Sequence, residues 1–210
     1  EQAANGLWHL LIANRWVVAD KTVPNNPSFQ REPLPVSFDW SFPEYQGLHS
    51  WPGSSGLQTE FTGNEPEDCT IAEQGIVLSP GNYAMAFVYS TSEIAPATGI
   101  KWQILDAKSN TLLAESADLS SDALVHSAFG FSVPPSASLL RLRLAYKRAL
   151  GTTRIAGMLD MQSVQITPLP NSGLAHTVAT PILAPQNAPA GATRCSASDS
   201  ESLSVAEVVA

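Results

Sequence analysis

Gly81-Asn-Tyr-Ala-Met-Ala-Phe-Val-Tyr-Ser90, followed after a short connection by Gly99-Ile-Lys-Trp-Gln-Ile-Leu105, is the stretch on which the fold turns. Tyr83, Met85, Phe87 and Tyr89 occupy alternate positions, with Ala84, Ala86, Val88 and Ser90 between them. Successive side chains leave a pleated backbone on opposite faces, so this period of two predicts a strand. Pro80-Gly81 punctuates its start, and Pro96 to Gly99 marks the connection to the next strand. There Ile100, Trp102 and Ile104 share one face, while Lys101 and Gln103 take the other. Two such bulky strands in succession predict the centre of a β-sandwich.

The flanking chain repeats the pattern. Val36, Phe38, Trp40 and Phe42 alternate and predict a first strand, and Leu57, Thr59 and Phe61 predict a second that ends at Gly63. Between them, Pro43 to Gly56 reads as a loop holding Tyr45, His49 and Trp51 among Gly, Ser and Pro. Cys69 to Leu78, Thr111 to Glu115 and His126 to Val133 read as further strands, with Asp106 to Asn110 as a turn. From Leu139 to Tyr146, Leu140, Leu142, Leu144 and Tyr146 face one way and Arg141, Arg143 and Ala145 the other. That is a half-buried antiparallel strand with a basic outer row. Arg154 to Thr167 closes the series as one strand or a pair. Eight to ten strands joined by Pro, Gly, Asn and Ser turns predict an all-β antiparallel sandwich or jelly roll. No βαβ alternation supports a parallel sheet.

The ends differ. Within residues 2–19, the pairs Leu7–Leu11, Trp8–Ile12 and Ile12–Trp16 have helical spacing and predict one N-terminal helix. Pro24, Pro27, Pro33 and Pro35 mark Lys21 to Pro35 as a linker, because proline fixes φ and donates no hydrogen bond. Residues 168–210, rich in Pro, Ala and Ser, hold few large apolar groups to offset the entropy of ordering, and read as an extended tail. The expected organisation is a helix and linker over 1–35, a sandwich over 36–167 and a tail over 168–210.

Composition narrows the function classes. The 210 residues are 44% hydrophobic and only 14% charged, well under the roughly 25% usual for soluble domains. A net charge of −8 opposes nucleic-acid binding at long range. No apolar run reaches the roughly 18–20 residues of a membrane span. Two cysteines, Cys69 and Cys195, cannot build a tetrahedral zinc site alone; one long-range disulfide and two free thiols both fit. Glu1 is not an initiator methionine, so a cleaved signal peptide and a shortened longer protein both fit.

Phe38-Asp-Trp40, Phe61-Thr-Gly63, Leu78-Ser-Pro-Gly-Asn-Tyr83 and Gly99-Ile-Lys-Trp-Gln-Ile104, continued by Phe129 to Pro134 and Leu140 to Tyr146, resemble the strands and turns of carbohydrate-binding-module-like jelly rolls. The chain also resembles the region that follows the helical repeats of bacterial envelope or exopolysaccharide-associated tetratricopeptide-repeat proteins. The resemblance covers about 36–167 and implies a non-catalytic polysaccharide-binding module that is secreted, periplasmic or held at the cell envelope. An assembly module that uses its helix and tail on neighbouring domains, or on a second copy, is the alternative.

Sugar binding needs flat aromatic faces for pyranose CH groups and planar polar groups for hydroxyls. Trp51, Tyr45 and His49 offer the first; Arg141, Arg143, Lys147, Gln103, Lys101 and Glu60 offer the second. The expected ligand set is therefore Trp51, Tyr45, Arg141, Arg143 and Gln103. Trp51 as a cover on a sheet edge, with the basic row merely solvated, is the competing reading. Trp40 and Trp102 lie on apolar faces and read as core. Glu65, Glu67 and Asp68 lack the Asp-x-Asp-x-Asp-Gly spacing of a calcium loop, so no metal or other cofactor is expected. Gly-x-Ser-x-Gly, His-Glu-x-x-His and phosphate-loop motifs are missing, and no catalytic residue is expected. Glu60, Glu73, Asp106 and Asp160 lie near strands, but sequence alone pairs none of them as a glycosidase would require.

Overall fold

A computed structural model describes residues 23–35 and 38–170. Nine strands run through it: β1 (Leu48–Gly53), β2 (Gly56–Thr62), β3 (Asp68–Val77), β4 (Gly81–Ser92), β5 (Ile100–Asp106), β6 (Leu112–Glu115), β7 (Val125–Val133), β8 (Leu139–Lys147) and β9 (Ala156–Pro168). They form a five-stranded sheet ordered β1-β2-β9-β4-β7 and a four-stranded sheet ordered β3-β8-β5-β6. Every pairing between these strands is antiparallel.

Alternation decides which side chains meet between the sheets. Met85, Phe87 and Tyr89 of β4, with Leu159, Met161 and Val164 of β9, bury one inner face. Ile100, Trp102 and Ile104 of β5, with Leu140, Leu142, Leu144 and Tyr146 of β8, bury the other. Phe87 meets Trp102 at 6.4 Å between ring centroids, and Phe61 meets Tyr146 edge-on at 5.7 Å, so aromatic pairs join the two sheets. Each large apolar side chain fully buried this way contributes roughly 1.5–3 kcal/mol. The two strands read first, β4 and β5, belong to different sheets. Between them the chain passes through Glu93 and Ala97, both at positive φ, before Gly99 opens β5.

Three expectations need correction. Residues 38–42 are not a strand; only Ser41 pairs with the sheet, opposite Glu73 of β3. Trp40 is buried because its indole N–H donates to the carbonyl of Asn26 and its ring packs 4.7 Å from Phe29. The segment 43–56 is not an open loop: β1 pairs residue by residue with β2 around Ser54 and Ser55. Pro52 is tolerated there because β1 is an edge strand. Residues 23–29, read as linker, form a strap across the sandwich. Val23 accepts from Ile166 N at 2.7 Å, Pro27 accepts from Val164 N at 2.8 Å, and Phe29 has no solvent exposure. On the other sheet, Asn25 and the buried Gln74 exchange two hydrogen bonds of 2.8 and 3.0 Å. The expected N-terminal helix, the tail beyond residue 170 and Cys195 lie outside the described residues.

Candidate functional site

β1 carries Leu48 inward, so His49 and Trp51 point away from the core on the outer face of the five-stranded sheet. Trp51 is 39% exposed. Its partner across the ladder is Gln58, and the partner of Gln58 on β9 is Asp160. Trp51 Nε1 donates to Gln58 Oε1 at 2.9 Å, and Gln58 Nε2 donates to Asp160 Oδ1 at 3.1 Å. This row fixes the amide orientation of Gln58 and holds the indole by its one polar atom. Ser90 of β4 stands opposite Asp160. Farther along, Ala84, Ala86 and Val88 of β4 and His126, Ala128 and Gly130 of β7 face the same way. The surface from Trp51 to β4 thus spans three inter-strand steps, about 14 Å, over mostly small side chains.

Two backbone features shape this surface. A bulge separates Ser163, opposite Val88, from Met161, opposite Tyr89, leaving Gln162 as an extra, exposed residue. The bulge lets Asp160 and Ser163 share the outer face while Met161 and Val164 stay in the core. Gly56, at φ +124, lies against that bulge, where a Cβ would fall 2.3 Å from Met161 O and 2.8 Å from Gln162 Cα. The hairpin that carries Trp51 is therefore seated by a position only glycine fills. Glu60, two residues beyond Gln58, is diagonal to Asp160 on the same face, about 7–8 Å between Cα atoms by strand geometry.

The five residues singled out by sequence do not line one surface. Trp51 is on the outer face of the five-stranded sheet. Tyr45 bridges Leu48 just before β1 and packs partly against the core. Arg141, Arg143 and Gln103 alternate onto the outer face of the other sheet. Arg143 and Gln103 are brought together, opposite one another, with Arg143 Nε donating to Gln103 Oε1 at 3.0 Å. Arg141 donates to Asn110 Oδ1 instead. Two clefts flank this second face. One of 700 Å³ lies between Pro33, Leu34, Phe38 and Arg141; another of 530 Å³ is lined by Lys101, Gln103, Glu115 and Ala145. Gln58 and Asp160, which join Trp51 in this candidate site, were not among the ligands expected from sequence; Asp160 was named there only as a carboxylate near a strand. A polar residue opposite Trp51 in a hairpin closed by Gly53 and Gly56 was the available signal.

The acidic turn before β3 is dispersed rather than convergent. Glu65, with no solvent exposure, turns inward and accepts from Ile155 N at 3.2 Å. Glu67 pairs with Arg148, and Asp68 lies 3.9 Å from Lys147. Among the described residues no group of three or more His, Cys, Asp or Glu is close enough to hold a metal ion. Cys69 and Tyr146 face each other across β3 and β8 beside Glu65. Burial, then the negative charge of Glu65, pushes the Cys69 thiol up to about 11 and the Tyr146 phenol up to about 12. A thiol held in that state is a packing group, not a nucleophile. Asp106 is lowered, first by the Ser109 hydroxyl and then by Lys108 N–H, as befits the acceptor of the expected turn.

No protein-family model matches the chain, and no curated protein matches it. Solved structures do. A CBM4 carbohydrate-binding module superposes with a TM-score of 0.52 at 16% identity, over 70% of this chain and 99% of that one. The module TmCBM61, solved with β-1,4-galactotriose, gives 0.42 at 12% identity over 71% and 100% of the two chains. A module of the Cellvibrio mixtus lichenase 5A, solved with cellotriose, gives 0.38 at 8% over 61% and 92%. The described chain has the fold of a carbohydrate-binding-module-like β-sandwich.

Proposed function

We propose that the sandwich is a non-catalytic polysaccharide-binding module of a secreted or cell-envelope protein, and that it binds on the outer face of the five-stranded sheet. One observation carries this reading. Trp51 presents an exposed indole whose N–H is already satisfied by Gln58, leaving an apolar plate two strands from the Asp160 carboxylate. Such a plate takes the CH face of a pyranose, and a carboxylate oxygen takes a hydroxyl in a charge-assisted hydrogen bond. Small residues beyond it leave room for a chain to lie across the strands. Arg141, Arg143 and Gln103 belong to the opposite surface and are not part of this site.

The test is retention by immobilised polysaccharides, a panel of glucans, mannans and galactans, for the unaltered protein and for Trp51→Ala. The variant should lose about 5- to 150-fold in affinity, the equivalent of the ~1–3 kcal/mol found for a nucleic-acid base stacked on an aromatic side chain, while its melting temperature stays nearly constant. Trp102→Ala is the control. Its side chain is fully buried, and its loss costs about 3–5 kcal/mol of stability whatever the function. Unchanged binding by Trp51→Ala would sink the proposed site. A module making only protein contacts is the alternative. Failure to bind any glycan would select it.

A further inference from the structure

Charge is divided between the two outer faces of the sandwich. None of β1, β2, β4, β7 and β9 contains a Lys or Arg; their charged residues are Glu60 and Asp160, with His49 and His126 as the remaining titratable side chains on that outer face. Lys101, Arg141, Arg143 and Lys147 all lie in β5 and β8 of the other sheet. There they are engaged locally: Lys101 with Glu115 at 2.9 Å, Arg143 with Gln103, Arg141 with Asn110 and Lys147 with Asp68.

We infer that the Trp51 face selects uncharged glycans and rejects acidic ones, with Glu60 and Asp160 as the residues that determine the selection. The inference rests on the polysaccharide-binding reading above and adds the ligand's charge to it. A neutral sugar offers hydroxyl donors, and both carboxylates can accept them without losing their negative charge. A uronate or sulfate set on the same plate brings a third anion to roughly 7–10 Å from these two, Glu60 diagonal to Trp51 and Asp160 two strands away, with no Lys or Arg in the five strands to pair with it. At roughly 7–10 Å and an effective dielectric between 20 and 80, each such repulsion is enough for a discrimination of about twofold to fiftyfold. It is short-ranged, since the Debye length is about 10 Å at 0.1 M salt. The net charge of −8 opposes approach of an acidic polymer from farther away and is screened more readily.

The experiment compares neutral glucan, mannan and galactan with polygalacturonate and alginate at pH 8, for the unaltered protein, Trp51→Ala and the double variant Glu60→Gln/Asp160→Asn. Asn at 160 still accepts the Gln58 amide, so the row that holds Trp51 survives the change. The unaltered protein should bind a neutral polymer at least tenfold more tightly than either acidic one at about 20 mM salt. That ratio should shrink in about 0.5 M salt and shrink again in the double variant, without any loss of neutral binding beyond that of the two hydroxyl contacts. Trp51-dependent binding that favours an acidic polymer overturns the inference alone. So does a ratio that neither salt nor the double variant narrows. No binding to any polymer overturns the polysaccharide reading itself, and the inference with it.

Discussion

Gly56 approaches Met161 so closely that a methyl group in place of its hydrogen would sit 2.3 Å from the Met161 carbonyl oxygen. The same glycine has φ +124, which L side chains rarely adopt. Gly56→Ala is expected to cost about 2–4 kcal/mol and to displace the β1–β2 hairpin. Because Trp51 rides on that hairpin, glycan affinity should fall even under conditions where the variant remains folded. A urea titration paired with a binding isotherm measures both losses.

Glu65 anchors the turn before β3 to the start of β9 through Ile155 N. Glu65→Ala leaves that buried donor without its acceptor and is expected to cost about 1–3 kcal/mol. Glu65→Gln keeps an acceptor oxygen in the same place and should cost clearly less. Equal losses in the two variants, read from denaturant midpoints, would show that the hydrogen bond contributes nothing.

Alkaline pH should weaken the sandwich through Cys69 and Tyr146. Both groups have folded-state pKa values raised above their ordinary 9.0 and 10.0, to about 11 and about 12. A raised value means that the folded state holds the proton more tightly than the unfolded chain. The associated stability is therefore complete below pH 9 and is lost as pH climbs through 11 to 12. The thiol's share is ~1–3 kcal/mol. Cys69→Ala should lower the melting temperature at neutral pH but flatten its fall between pH 9 and 11. A fall as steep as that of the unaltered protein would exclude the thiol as a cause.

Phe29→Ala tests the strap. The ring has no solvent exposure and packs at a tilt 4.7 Å from the Trp40 ring, so its removal is expected to cost about 3–5 kcal/mol. A change within about 0.5 kcal/mol, the range of a surface substitution, would show that residues 23–29 are the dispensable linker their prolines suggest.

Strands were legible wherever one face was apolar and the other was not. β4, β5 and β8 carry their burial pattern in the alternation itself, and the structure follows it except at Leu105 and Ala145, which are buried although the alternation turns them outward. The 36–42 stretch alternates as well, yet 38–42 is not a strand. Phe29 and Asn26, distant in sequence, draw Trp40 into the core by contacts that periodicity does not encode. β1 was hidden for the opposite reason: Pro52 and the surrounding Ser and Gly look like loop, and an edge strand tolerates them. The site was harder still. Alternation tells which residues of one strand share a face, but not which sheet the strand joins. Trp51 and Arg143 both face outward, and only the pairing of β1 with β2 and of β5 with β8 reveals that they do so on different sheets.

The strap over residues 23–29 also fixes how the module would carry load. Val23 and Pro27 are bonded to β9, the middle strand of one sheet, while Asn25 is bonded to Gln74 in β3 of the other. A pull entering at Val23 is thus shared between both sheets and delivered to a strand paired along both its edges. It does not fall on an outermost strand that could be peeled away. The weaker end of such a load path is the other one, since Trp51 rides on β1, an edge strand joined to the middle of the sheet through β2.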